Sequence, residues 1–175
     1  MKKVLLLLFL VFSFGACSAS FSDTDKKEVL KQFSDFQKAV KKKDAAAISK
    51  YVSYPLTDGN TKEVIWKNSS DLAKDLKDKN SYYFRYINEL KVDYNTNKIV
   101  NVEGRLLEKG EDVYLDVTGK FLDTDDVEGT IYAGIKKPHF VVVASTYDDM
   151  VEGATYYLFS LENKQLKLVS IFQLP

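Results

Sequence analysis

The chain is poor in the residues that most often carry chemistry. It has one cysteine, Cys17, and one histidine, His139, in 175 residues. A single thiol cannot close an intrachain disulfide, so the folded part must stand on its apolar core. A single histidine excludes a multi-histidine zinc site. Net charge is lacking too: 25 basic residues balance 25 acidic ones. A neutral chain offers no electrostatic case for nucleic acid. No serine sits in a G-x-S-x-G context. The acidic run at residues 123–128 fails the EF-hand pattern, with Val127 where a ligand should stand and Glu128 where the loop needs glycine. No metal or cofactor site is expected. There is no low-complexity tract and no internal linker.

What is present begins at the N-terminus. Lys2 and Lys3 precede an apolar run at residues 4–14, too short to span a bilayer. Residues 1–16 therefore read as a signal peptide. The run ends in Phe14-Gly15-Ala16-Cys17. This resembles the lipobox of bacterial lipoproteins, with Phe14 where the family prefers leucine. The resemblance implies cleavage before Cys17 and lipidation of Cys17. It spends the only thiol, so no Cys–His pair is left for nucleophilic catalysis. Ser18 follows the cysteine. In Gram-negative lipoproteins a residue other than Asp there resembles an outer-membrane address. Without Lys2 and Lys3 the chain keeps 23 basic residues (25 less 2) against 25 acidic. Residues 17–24 read as the lipidated cysteine and a short linker, and residues 25–175 as one domain, long enough for a real core.

The stretch 25–56 organises that domain. Val29, Phe33, Phe36 and Val40 are spaced 4, 3, 4, one face of a helix. Lys26, Lys27, Lys31, Asp35, Lys38 and Lys42 fall on the other faces. Asp25 and Glu28 suggest a capping box at the start. Asp44 suggests the cap of a second helix over residues 45–52, and Pro55 a stop. A short strand follows at residues 63–66. Ser69 or Ser70 would cap a third helix.

The rest reads as sheet, in keeping with 11 tyrosines and 11 phenylalanines. Alternation over residues 82–94 favours a strand. Strands are also expected at residues 98–107, 113–121, 127–135 and 139–145, with a closing hairpin at 154–161 and 165–172. The expected fold class is α+β, with N-terminal helices packed on a curved, mostly antiparallel sheet.

The segment FSDFQKAVKKKDAAAISKYVSYPL, residues 33–56, and the helix start at Asn68-Ser69-Ser70 resemble the NTF2-like superfamily, also called SnoaL-like or cystatin-like. Beyond this third of the chain only the order of elements is similar. The resemblance implies a cone-shaped sheet and leaves function open, because the superfamily hosts isomerases, dehydratases and non-catalytic binding modules. Its ketosteroid-isomerase-like members use an Asp base with a Tyr and a protonated Asp, and no such set aligns here. Asp116 falls on the polar side of its strand, and His139 reads as a turn or edge residue.

In a meander, alternate turns share an end. That would gather Asp123, Asp125, Asp126, Asp148 and Asp149 into an acidic surface for a basic partner. Polar turns are ordinary, so the surface is weak evidence by itself. The expected function is a lipid-anchored, non-catalytic envelope module that binds another envelope protein, as an inhibitor or immunity-type partner. The alternative is a cone-pocket protein that binds or transforms a small apolar molecule.

Overall fold

A computed structural model describes residues 20–78, 80–90, 114–122, 138–147 and 152–174. Helix α1 runs over Asp23–Lys42. Its N-cap is Ser22, three residues before the expected cap at Asp25: the Ser22 hydroxyl accepts from the Asp25 backbone N–H at 3.1 Å and donates to the Asp25 carboxylate at 2.6 Å. The cap is thus Ser22 rather than Asp25. Lys43 ends the helix in the left-handed region at φ 53. Asp44 caps α2, Ala45–Ser49, by accepting from the Ala47 N–H at 3.0 Å.

Helix α2 stops at Ser49, short of the expected residue 52, because the chain enters the sheet there. Strand β1 spans Val52–Asp58 and contains Pro55, joined to Tyr54 by a cis peptide bond. Proline cannot donate to a ladder. The pairing of β1 with its neighbour lapses between Val52 and Thr57, and Pro55 falls in that gap. Strand β2, Val64–Trp66, and helix α3, Ser69–Asp75, follow. The cap of α3 is Asn68, which accepts from the Ser70 and Asp71 N–H groups, rather than either serine. Residues 82–94 were expected as a strand; instead Tyr82–Glu89 is helix α4. Tyr83, Tyr86, Ile87 and Leu90 carry the helical spacing 3, 1, 3, and the last three are buried.

Strands β3 (Tyr114–Leu122), β4 (His139–Tyr147), β5 (Glu152–Glu162) and β6 (Gln165–Leu174) complete the described elements. The six strands form one open, curved sheet in the order β2-β1-β6-β5-β4-β3. The fold is α+β. Four of the five neighbouring pairs are antiparallel, and β1–β6 is parallel. The β5–β6 hairpin closes through Asn163 and Lys164, both at positive φ, as a two-residue hairpin turn requires.

Alternation sorts the strand side chains by face. Phe140, Val142 and Ala144 of β4 and Tyr157 and Phe159 of β5 join the cluster that holds the helices. Val141 and Leu158 join a second cluster with Leu122 and Phe172, on the other face. In β6 the register shifts by one residue at Val169, since Phe159 opposes Leu168 while Leu158 opposes Ser170. That bulge keeps both Leu168 and Ile171 on the helix side.

Helix α1 lies across the sheet as its pattern requires. Val29, Phe33 and Phe36 are fully buried. The Phe33 ring meets Phe140 and Phe159 edge-on, with centroids 5.3 and 5.4 Å away, and Phe36 meets Phe159 at 5.6 Å. Such edge-to-face pairs add about 0.5–1.5 kcal/mol each beyond area burial. Gln32 ties the helix to the hairpin: its amide donates to the Lys164 carbonyl and its oxygen accepts from the Leu166 N–H at 2.7 Å.

Candidate functional site

The strongest concentration of buried polar chemistry lies where α4 meets β5. Tyr157 points to the helix side because it shares parity with Thr155 and Phe159, both buried. Glu89 lies three residues after Tyr86 on α4, so the two share the inward face of that helix. The Tyr157 hydroxyl lies 2.6 Å from the Glu89 carboxylate and 2.8 Å from the Tyr86 carbonyl. Tyr157 is fully buried and Glu89 is 4% exposed, so this pair is screened from water. Burial, then the neighbouring Glu89 charge, holds the phenol well above the usual tyrosine range. It stays protonated at every physiological pH and serves as a donor.

Gln37 completes the surroundings of α4. Buried on α1, it donates to the Leu90 carbonyl at 3.0 Å, satisfying an end carbonyl of α4. The rest of the interior is apolar, both aliphatic and aromatic. Chemically, the arrangement can hold a proton between phenol and carboxylate and can fix α4 on the sheet. Nothing about its geometry demands a ligand, because each named oxygen has a protein partner.

His139 is buried at the start of β4, not a turn or edge residue. It shares parity with Val141 and Val143, on the face away from the helices, and so is not brought to Glu89 and Tyr157. Asp116 opposes Ser145 in the β3–β4 ladder. Cys17 and the five aspartates Asp123, Asp125, Asp126, Asp148 and Asp149 lie outside the described residues. Leu122 and Tyr147, the described residues that precede these aspartates in sequence, stand at opposite ends of the β3–β4 ladder. A shallow depression lined by Ser70, Ala73, Lys74, Lys77 and Asp78 contains no buried polar side chain. Among the described residues no group of His, Cys, Asp or Glu is placed to hold a metal, and no helix is long and apolar enough to cross a membrane.

Sequence reasoning missed Glu89. Read as part of a strand, it fell among the odd positions with Tyr83, Arg85, Ile87, Lys91 and Asp93. The helical spacing of Tyr83, Tyr86, Ile87 and Leu90 was the signal that could have found it, since it puts position 89 beside 86 on the inner face. Comparison with known proteins finds no matching family model, no matching curated protein and no matching solved structure.

Proposed function

We propose that this chain is a lipid-anchored binding module of the bacterial cell envelope, acting by contact with another envelope protein rather than by catalysis. In this reading Cys17 carries the lipid, Ser18 directs the protein to the outer membrane, and the domain faces the periplasm. The domain is a relative of the NTF2-like group. Support for that kinship is the order α1, α2, β1, β2, α3, to which this chain adds α4 before the antiparallel strands β3 to β6.

The observation that carries the binding-module reading is the packing of the helix–sheet interior. Phe33, Phe36, Phe140 and Phe159 are all at most 1% exposed and meet ring to ring where a cone-pocket protein would keep space for its ligand. Recognition then falls to the surface. Anchoring is tested by mass spectrometry and detergent partition: an acylated Cys17 is expected, and Cys17→Ser should release the protein or leave the precursor uncut. An unmodified N-terminus at Ser18 or beyond would overturn it. Binding is tested by capture from envelope extracts with the mature protein, where one retained envelope protein is expected.

A second reading, a small-molecule binding protein or isomerase-type enzyme, draws on one observation, the buried Glu89–Tyr157 pair. Tyrosine facing a carboxylate is the kind of pair that moves protons. Native mass spectrometry separates the two readings: a co-purified apolar molecule that is lost in Tyr157→Phe would favour the second.

A further inference from the structure

The outer face of α1 is as ordered as its inner face. Opposite the buried stripe, Lys27, Lys31, Ser34, Lys38 and Lys42 follow one another at spacings of 4, 3, 4 and 4, and all are exposed. Two acids share this side. Asp23 stands at the N-terminal end, and Asp35 on the flank is bonded to Lys38 at 2.8 Å. Four lysines against two carboxylates leave a surplus of two positive charges on one helix face, in a chain whose mature part is slightly acidic. Leu30, on the edge of this ridge, is one of two exposed large apolar side chains among the described residues.

The chain's path places this ridge. Phe21 is buried, and its ring meets Phe121 edge-on at 5.4 Å. The first helical turn is therefore pinned to the sheet just before α1 begins. Cys17 is four residues upstream, so a sulfur-borne lipid is at most about 14 Å of extended chain from Phe21. A domain held so closely at the N-terminal end of α1 meets its bilayer through that helix or its surroundings. A single basic stripe beside a lipid anchor is the pairing that anionic headgroups attract.

We propose that the lysine ridge of α1 lies against the anionic phospholipid headgroups of the leaflet that carries the anchor, so that the helix rests along the membrane and the face of the sheet opposite the helices points away from it. This rests on lipidation of Cys17. It adds an orientation: the partner-binding surface is not the outer face of α1, which the membrane covers.

The test uses the mature, lipid-bearing protein reconstituted into vesicles of phosphatidylcholine alone or with about one-third phosphatidylglycerol. A water-soluble amine reagent labels accessible lysines, and mass spectrometry reads each site along with the acyl mass on the N-terminus. Labelling of Lys27, Lys31, Lys38 and Lys42 should slow by about threefold or more in the anionic vesicles, and the protection should fade as salt rises. Lys67 and Lys77, beyond β2 and α3, should react equally in both. Acylated protein whose ridge lysines react as fast as Lys67 in anionic vesicles would overturn the proposal alone. Equal protection in neutral vesicles would overturn its electrostatic basis. No acyl mass at Cys17 would overturn both this proposal and the anchored reading.

Discussion

Helices α1 and α4 cover the same face of the sheet with different chemistry. Helix α1 sends Val29, Phe33, Phe36 and Val40 inward and turns lysines to solvent. Helix α4 sends Tyr86, Ile87 and Leu90 inward but adds a carboxylate, Glu89, under a tyrosine hydroxyl. The first helix holds mainly by filling space, with Gln32 and the buried Gln37 adding bonds to the hairpin and to α4. The second holds partly by a directed bond in a low-dielectric interior, where a satisfied polar pair fixes one arrangement and a broken one is costly. A helix that mostly fills space largely obeys the simple rule of apolar in and polar out. One that buries a charge-bearing group violates it.

Substitutions can sharpen that contrast. The largest effect is expected for Phe33→Ala. Removing a fully buried ring that meets Phe36, Phe140 and Phe159 should cost about 3–5 kcal/mol, enough to unfold a domain of ordinary stability. A thermal melt left in place by Phe33→Ala would mean that α1 does not lean on the sheet through this ring. Lys38→Ala, on the opposite face, should leave the melt where it was.

Tyr157→Phe should cost less, about 1.5–3 kcal/mol, the range for a hydrogen bond to a charged group. It should also change the alkaline limb of the stability curve. The folded phenol titrates well above its unfolded value of 10.0. Its contribution is therefore fully present below about pH 10 and is lost as pH rises through the higher folded value. Urea melts above pH 10 should show a shallower decline in Tyr157→Phe than in the parent. Equal slopes would remove Tyr157 from the alkaline transition.

A smaller loss is expected for Gln32→Ala, about 1 kcal/mol. Its amide bridges α1 to the turn between β5 and β6 through two backbone groups. Hydrogen exchange at Leu166, whose N–H donates to Gln32, should speed up while exchange in β4 holds steady.

How much of this was legible in the sequence varied by element. The 4, 3, 4 spacing in α1 and the period-2 runs in β3 to β6 set the helix-on-sheet class, because one period dominates each. The break at Pro55 was visible, but not that Pro55 sits within a strand; this depends on a neighbour, β6, more than a hundred residues away in sequence. Residues 82–90 carry both periods at once. Aromatic side chains at 82, 84 and 86 alternate, while apolar ones at 83, 86, 87 and 90 recur helically, and only packing against β5 decides between them. Glu89 was illegible for the same reason, since its buried partner lies 68 residues on. The acidic turns rested on a meander in which an expected strand at 127–135 would separate 113–121 from 139–145. Instead β3 pairs directly with β4 along nine residues.

The most direct test of a module that binds through its surface, with a core that serves only folding, compares capture by two folded forms. The parent and Tyr157→Phe, each shown by its melt to be folded at the working temperature, are used to capture protein from detergent-solubilised envelopes, and both are examined by native mass spectrometry. The same retained envelope protein with both forms, and no small molecule with either, is the expected result. A small molecule held by the parent and lost from Tyr157→Phe, with no shared protein partner, would contradict it and make the Glu89–Tyr157 pair the working site.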